Sequence, residues 1–266
     1  MADMTDLLIR QDGPVLHLTL NRPAQRNPLS VAMVQALRER LAAAEADGTT
    51  RVLVLRGAGG HFCSGGDIAD MAAARARLAD DPDAIVRLST AFGELCVAVA
   101  GSPLATVAVL EGTVMGGGFG LACVTDVALA ADNADFRLPE TSLGLLPAQI
   151  GPFLVERLGY SEARRLAVTG ARLGAAEALM LRLVHEVHPT AALDAALTRV
   201  VQSVLRCAPG AVAATKAVLA RARQHAPASL VHEAAEAFSA AVLGDEGAEG
   251  TAAFLARRPP RWAPPG

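Results

Sequence analysis

The sequence predicts an α/β fold followed by a helical C-terminal region. The first half alternates short β-branched runs with segments of helical periodicity, a pattern typical of α/β proteins. From Gly151 onward nearly every segment predicts helix, and alanine becomes prominent. The composition changes softly near Cys207-Ala208-Pro209-Gly210. We therefore predict a core over residues 1–205 and a helical region over residues 206–266.

In the first half, strands and helices are predicted to follow one another closely. Ser30 is a typical N-cap, and the helix that it starts is predicted to stop at Gly48. The other predicted helices are 67–78, 85–99 and 117–124. The predicted strands are 15–20, 51–56, 104–110 and 127–131.

The helical half is predicted to contain segments 152–158, 161–169, 175–181, 191–206, 211–224 and 229–243. Its last helices carry the apolar residues Val231, Phe238, Val242 and Phe254. These are too many for a free-standing helical pair to bury. We expect them to pack against the core or against a neighbouring subunit.

Composition limits the class of protein. The chain has 266 residues, 52% hydrophobic and 19% charged, so it can bury a large core and is neither disordered nor fibrous. A net charge of −3, one Trp and one Tyr argue against a nucleic-acid partner. We expect no membrane partner, because no uninterrupted apolar run approaches about 20 residues. The acidic start Met1–Asp6 and four cysteines without paired spacing indicate a cytoplasmic, reduced protein.

Two glycine-rich segments stand out, Gly57–Ile68 and Gly112–Gly120. Each follows a predicted strand and precedes a predicted helix, so each bares backbone N–H groups at a helix start. A single segment of this kind is typical of an ordinary tight turn. Two converging N–H groups, however, can hold one developing oxyanion.

Other catalytic classes fit the sequence less well. Gly57–Gly60 lacks the position and spacing of a dinucleotide-binding turn. A hydrolase using Ser64 or Cys63 would need partners, but no G-x-S-x-G elbow is present and His61 alone is no triad. Cys63 beside an apolar phenylalanine is predicted to be buried. The histidines lack the spacing of a zinc site.

Further motifs follow in order over nearly the whole chain: Leu20-Asn21-Arg22-Pro23 with Asn27-Pro28-Leu29-Ser30, then Phe62–Ile68, Met115–Gly118 and Leu138–Gly144. This series resembles the enoyl-CoA hydratase/isomerase (crotonase) superfamily, and the ending Glu249–Pro259 is similar to that family's last helix. The resemblance implies a spiral of ββα units with a helical C-terminal region used for trimer contacts. It also implies a homotrimer, or a hexamer made of two trimers.

The resemblance implies an acyl-CoA thioester as substrate. In that family two peptide N–H groups hold the thioester oxygen of an enolate-like intermediate, and by motif position these belong to Gly66 and Gly117. The residues implied to line the coenzyme A path are Ala24, Arg26, Ser64, Gly66, Asp67, Ile68 and Gly117. A lone arginine in a loop, such as Arg26, is equally typical of a solvated side chain. No metal is expected, and no cofactor beyond the coenzyme A of the substrate itself.

The family's proton chemistry rests on carboxylates. Hydratases of the common type carry two glutamates, whereas this chain has Gly120 at the first position and Glu140 at the second. A glutamate after proline can simply favour a helix N-terminus. Within this series of motifs we predict that Glu140 moves a proton at the substrate's Cα. Weaker candidates for orienting a water molecule are Glu111 and backbone groups near Ala148.

The segments Glu111–Cys123 and Leu138–Ile150 are similar to the branched glutaconyl-CoA hydratases, which act on isohexenylglutaconyl-CoA or methylglutaconyl-CoA. We therefore expect an enzyme that adds water across the 2,3 double bond of an acyl-CoA thioester. Two alternatives stay open: a delta isomerase that uses a single glutamate, and a non-catalytic acyl-CoA-binding protein. Acyl specificity is predicted to lie in Asp70–Asp83, where Arg75 or Arg77 either meets an acidic acyl tail or is simply solvated.

Overall fold

The computed structural model describes residues 6–264, and the elements below belong to that range. The strands are β1 (Leu7–Asp12), β2 (Val15–Leu20), β3 (Val52–Gly57), β4 (Ala105–Leu110), β5 (Thr113–Met115), β6 (Val127–Ala131), β7 (Asp135–Arg137), β8 (Arg172–Gly174) and β9 (Glu186–His188). The helices are α1 (Val31–Ala46), α2 (Ile68–Ala76), α3 (Ala84–Gly101), α4 (Gly117–Val124), α5 (Gly151–Thr169), α6 (Ala175–Met180), α7 (Leu193–Leu205), α8 (Pro209–Ala222), α9 (Val231–Leu243) and α10 (Asp245–Leu255). Short 3-10 turns occur at Pro23–Gln25, Glu140–Leu143, Thr190–Ala192 and Pro227–Leu230.

Two sheets form within the described residues. The larger has six strands in the order β1-β2-β3-β4-β6-β9, and the smaller has three in the order β5-β7-β8. β1 pairs with β2 antiparallel, whereas β2 with β3, β4 with β6, and β6 with β9 are parallel pairs. All of β4 and nearly all of β3 are buried, which explains their unbroken apolar sequences.

The elements predicted for the first half are confirmed, with ends that differ by at most two residues or so. The predicted cap is also confirmed, because the Ser30 hydroxyl accepts a hydrogen bond from the N–H of Met33 at 3.2 Å. Leu37 and Leu41 lie on the buried face of α1. A helix with this apolar periodicity packs one side into the core.

Five strands were not predicted, namely β1, β5, β7, β8 and β9. Apart from β1 each has three residues, and such short strands are defined by their partners rather than by their own sequence. β5 lies inside the second glycine-rich segment, so that segment is a short strand followed by a turn. In α5 the two predicted helices form one run with a kink at Gly159, whose φ is 75°.

The chain divides into two compact units, residues 6–100 with 106–197, and residues 101–105 with 198–264. The division between the two units lies at residues 197 and 198, within α7, whereas the predicted boundary lies at residue 205, the last residue of that helix. Within the second unit, the Glu246 carboxylate accepts hydrogen bonds from the amides of Gly210 and Ala211 at the start of α8, both at 3.0 Å. Lys216 donates to the carbonyl of Leu104 at 2.6 Å.

α3 has 18 residues and a mean hydropathy of 1.5, which by length and composition alone would suffice to cross a membrane. Leu95, Cys96 and Val99 on this helix are buried. These residues are on the buried side of the helix, and 28% of the helix is buried in all.

The apolar residues singled out in the C-terminal helices are exposed. Val231, Phe238, Val242 and Phe254 are 60%, 72%, 47% and 83% exposed in the single chain. That a neighbouring subunit buries these side chains therefore stays a prediction.

Candidate active site

The two glycine-rich segments lie side by side and are hydrogen-bonded. The N–H of Cys63 donates to the carbonyl of Thr113, and the N–H of Met115 donates to the carbonyl of Cys63, both at 2.9 Å. Cys63 and Val114 thus form an isolated parallel bridge. In addition, Nδ1 of His61 accepts from the N–H of Thr113 at 3.1 Å. These bonds join two segments that are far apart in sequence.

The amide of Gly66 is left unbonded by a second bridge. The N–H of Leu29 donates to the carbonyl of Gly65 at 2.8 Å, and the N–H of Asp67 donates to the carbonyl of Leu29 at 3.0 Å. This pairing uses groups on either side of Gly66, whose own N–H has no acceptor within residues 6–264. Gly65 has a φ of 102°, which strongly favours glycine.

The amide of Gly117 is free because of its place in α4. It is the first residue of that helix, where an N–H has no intrahelical acceptor, and it finds no other in the described part of the chain. Gly116 precedes it with φ 48° and ψ −114°, and the Gly116 N–H donates to the Arg137 carbonyl at 3.1 Å. A β-carbon on Gly65 would lie 3.7 Å from the nitrogen of Gly117, so the two glycine turns touch.

Glu140 lies against the second glycine turn. It begins the 3-10 turn after Pro139, and a β-carbon on Gly116 would lie only 3.0 Å from its Oε1. Its Oε2 is buried without a hydrogen-bond partner among the described residues. Burial raises the pKa of the Glu140 carboxyl, opposed by a hydrogen bond from its own backbone amide. Such a carboxyl group is a stronger base when ionised than an exposed glutamate.

Gly66, Gly117 and Glu140 line one cavity of about 610 Å³. Most of the other lining side chains are apolar: Leu29, Val31, Val34, Ile68, Met71, Ala72, Ile85, Leu88, Ala91, Phe92, Leu145, Leu146, Pro147, Ala148 and Ile150. A largely apolar pocket with a few convergent polar groups is the usual form of a small-molecule site. Two free amides and a desolvated carboxyl group can hold an oxyanion and move a proton beside it.

The residues expected along the coenzyme A path separate into two groups. Asp67 and Ile68 line the cavity, whereas Ala24, Arg26 and Ser64 do not. The Ser64 hydroxyl donates to the carbonyl of Gln25 at 3.1 Å. This bond places the turn that carries Ala24 and Arg26 next to the first glycine-rich segment.

Asp67 has structural partners. Its carboxylate accepts from the N–H of Ala69 at 2.8 Å, capping α2, and pairs with Arg22. Burial opposes its ionisation, but the hydrogen bonds from Arg22 and Ala69 prevail and lower the pKa of Asp67. This carboxylate therefore stays charged and is poorly suited to proton transfer.

The position of the family's first glutamate is filled by apolar side chains. A β-carbon on Gly120 would overlap Cγ2 of Ile150 and lie 3.1 Å from its Cβ, with Cζ of Phe92 at 3.7 Å. A glutamate at this position would have to displace Ile150. Glu140 is thus the one glutamate that lines the cavity in the described part of the chain.

Glu111, a weaker candidate for orienting water, lies elsewhere. It is buried and does not line the cavity. Its Oε2 pairs with Nε of Arg56 at 3.3 Å. Glu111 is therefore removed as a candidate, whereas Ala148 does lie at the cavity wall.

The side chains that a hydrolase could use, those of Cys63, His61 and Ser64, are buried or hydrogen-bonded to the backbone. Burial raises the pKa of Cys63 to about 12, so it stays a thiol, and the expectation that it is buried is confirmed. His61 accepts from a backbone amide through Nδ1, and Ser64 donates to a carbonyl. No nucleophile–base pair forms from these residues.

Gln149 and Ser89 are cavity residues that sequence reasoning missed. Both line the cavity, and Nε2 of Gln149 donates to Oγ of Ser89 at 3.0 Å. A single glutamine and a single serine carry no sequence signal, because their proximity depends on the packing of α3 against the segment before α5. Arg75 also lines the cavity, whereas Arg77 does not.

The model of the family described as enoyl-CoA hydratase/isomerase matches residues 10–265. The chain belongs to the enoyl-CoA hydratase/isomerase family. It is 30% identical over 97% of its length to 2,3-dehydroadipyl-CoA hydratase of Escherichia coli K12, covering 98% of that protein. It is 29% identical to the peroxisomal Delta(3,5)-Delta(2,4)-dienoyl-CoA isomerase of Arabidopsis thaliana, covering 95% of this chain and 94% of that one.

Among solved structures, the chain is similar to Pseudomonas aeruginosa AtuE, with a TM-score of 0.93 and 52% identity over 97% of this chain and 100% of that one. The resemblance to the crotonase family and the α/β fold class are thereby confirmed. The two curated relatives named above are a hydratase and an isomerase.

We predict that Gly120→Ala destabilises the protein by about 1–3 kcal/mol, the usual result of overpacking a core. The added methyl group would overlap Ile150. Urea unfolding measures the effect. Gly151→Ala is the matched control, because a β-carbon there meets nothing within 4 Å and alanine favours a helix. Equal stability of the two variants would contradict the close packing at Gly120.

Proposed function

We propose that this protein is an enoyl-CoA hydratase that adds water across the 2,3 double bond of an acyl-CoA thioester of the branched glutaconyl type. One observation carries the proposal. The unbonded amides of Gly66 and Gly117 and the desolvated carboxyl group of Glu140 line the same cavity. Membership of the family and the hydratase relative support it.

In this proposal the amides of Gly66 and Gly117 donate to the thioester oxygen. Attack at C3 pushes the double-bond electrons toward that oxygen, where negative charge develops. Fixed donors stabilise this charge more than they stabilise the neutral carbonyl, which is the condition for catalysis. The coenzyme A part would lie along Asp67 and Ile68 and continue toward Ala24, Arg26 and Ser64.

Glu140 is proposed to carry the proton. Its carboxylate takes one proton from the water as the oxygen bonds to C3, and returns that proton to C2 as the enolate collapses. A raised pKa makes the Glu140 carboxylate a better base toward the water, and the protonated carboxyl group can then return the proton to the enolate.

Isomerisation is the second candidate. Moving a proton between C2 and C4 needs one carboxylate and no positioned water, and the cavity has a single glutamate. The dienoyl-CoA isomerase relative favours the same chemistry. Loss of the conjugated absorbance from a 2-enoyl thioester would indicate hydration, whereas its gain from a 3-enoyl thioester would indicate isomerisation. Binding without either change would indicate an acyl-CoA-binding protein.

An acyl group with a distal carboxylate fits the position of Arg75. This arginine is on α2, lines the cavity and has no ion pair within residues 6–264. The wide apolar wall, which includes Leu146 at 72% exposure, suits a branched hydrocarbon acyl group. Specificity would then combine apolar contact with one charge interaction at the cavity rim.

For Glu140→Gln we expect turnover to fall by at least about a hundredfold, with acyl-CoA binding largely kept, because the amide cannot move a proton. Enoyl-thioester absorbance measures turnover, and calorimetry with a saturated acyl-CoA measures binding. Glu45→Gln, an exposed glutamate on α1, is the control. Near-normal turnover in Glu140→Gln would remove Glu140 from the mechanism.

The pH profile gives an independent check on the same residue. Hydration needs ionised Glu140, and its raised pKa lies above the ordinary 4.5. Wild-type activity should therefore rise with pH through a midpoint above 4.5. Any residual activity of Glu140→Gln should not show this rise with pH.

For Arg75→Ala we expect kcat/KM to fall about fivefold for a thioester with a distal carboxylate, which corresponds to about 1 kcal/mol for an exposed charge pair. A thioester of equal length without the carboxylate should be unaffected. Arg77→Ala is the matched control, since it lies one residue past α2 and outside the cavity lining. Equal losses for both substrates would contradict charge recognition by Arg75.

We further propose that the protein assembles as a homotrimer or hexamer. The exposed Phe238, Leu243 and Phe254 on the last helices support this assembly. Light scattering after gel filtration should give three or six times 27.3 kDa. Phe254→Asp should shift the mass downward, and a monomeric wild-type protein would contradict the proposal.

A further inference from the structure

The cavity holds one glutamate and has no room for another at position 120, yet hydration requires a held water molecule. In the described part of the chain, the polar side chains that line the cavity are Asp67, Asp70, Arg75, Ser89, Glu140 and Gln149. A second polar group for the water must come from this set or from the backbone.

The carboxylates of the two aspartates already have hydrogen-bond partners near the start of α2. Asp67 pairs with Arg22 and caps the helix, and Asp70 accepts from the amide of Val31 at 2.7 Å. Arg75 is on the same helix and is a cation, so it cannot accept a hydrogen bond from water. Ser89 and Gln149 remain.

The carboxamide of Gln149 packs against Gly93, where a larger residue would leave it no space. A β-carbon on Gly93 of α3 would overlap Oε1 of Gln149 and lie 2.7 Å from its Cδ. Glycine within a helix is less stable than alanine, so this contact occurs at a position where glycine is otherwise unfavourable. The bond from Nε2 to Ser89 fixes the orientation of the group.

The carboxamide oxygen of Gln149 is available to accept a hydrogen bond. Oε1 of Gln149 has no hydrogen-bond partner within residues 6–264, and it is not among the fully enclosed unpartnered atoms, which include Oε2 of Glu140. Gln149 also precedes Ile150, whose side chain fills the space at Gly120. The unpartnered acceptor is thus carried by the residue before Ile150, which fills the space of the family's first glutamate.

We propose that the Gln149 carboxamide, anchored by Ser89, holds the water that adds to the substrate double bond. The inference rests on the proposed hydratase function and deepens it. Gln149 is the residue that touches the water, and Ser89 is a positioning residue that acts through Gln149.

The proposed step balances without a second acid. One hydrogen of the water is hydrogen-bonded to Oε1 of Gln149, and the other faces the carboxylate of Glu140. The water oxygen bonds to C3, Glu140 takes one proton, and the double-bond electrons move onto the thioester oxygen. Glu140 then returns the proton to C2, which regenerates its carboxylate. Gln149 exchanges no proton.

The test compares wild type with Gln149→Ala, and both with Gln35→Ala, an exposed glutamine on α1, as control. We expect kcat for hydration to fall about five- to tenfold, the effect of one neutral hydrogen bond. KM, the affinity for a saturated acyl-CoA and the thermal midpoint should stay near wild type. Ser89→Ala should lower kcat in the same direction but less.

A second variant displaces the carboxamide without deleting it. Gly93→Ala places a methyl group against Oε1 of Gln149, a side-chain end that can move, so the fold should survive. Its kcat should fall as in Gln149→Ala. Gly101→Ala on the same helix is the control, because a β-carbon there meets nothing within 4 Å.

The outcomes separate this inference from the function on which it rests. A lower kcat with unchanged acyl-CoA affinity in both variants supports it. Wild-type hydration in Gln149→Ala overturns it and leaves the hydratase function standing, as does a parallel loss of kcat, affinity and thermal stability. Absence of hydration in the wild type overturns both.

Discussion

The site depends on the parallel pairing of two glycine-rich segments. The bridge between Cys63 and Val114 places the segments side by side, and the bridge between Leu29 and Gly66 turns one amide away from the backbone ladder. Gly66 is exposed and Gly117 is half-buried, so both unbonded amides at the cavity wall are accessible to a ligand. The special backbone geometry of Gly65 and Gly116 makes this arrangement possible.

The carboxyl group beside these amides is held in an unfavourable state. One oxygen of Glu140 is enclosed without a partner, and burial raises its pKa. A buried polar atom without a hydrogen bond costs about 1–3 kcal/mol. Retaining it fits a functional group better than a structural one, because sites of chemistry commonly carry such local instability. Asp67, which has full partners, shows the opposite environment in the same cavity.

At position 120 this protein has glycine, where hydratases of the common type have their first glutamate. The space that a second glutamate would need is occupied by Ile150 and lies close to Phe92. In the described part of the chain the cavity therefore has one glutamate, and its neutral polar side chains are the hydrogen-bonded pair Gln149 and Ser89. Hydration in such a site would rely on one proton carrier and neutral hydrogen bonds.

The sequence by itself determined the α/β class, most helices and four of the nine strands of the described residues, because local periodicity is encoded over short distances. The motifs at Gly66, Gly117 and Glu140 were found through the resemblance to the family. The sequence missed the three-residue strands such as β5 and β7, which exist only through their partners. It did not separate Ser64 from Asp67, or Arg75 from Arg77, since cavity walls depend on side-chain direction. The tertiary structure alone decided that Ile150 fills the space at Gly120 and that Gln149 meets Ser89, because both contacts join elements distant in the chain.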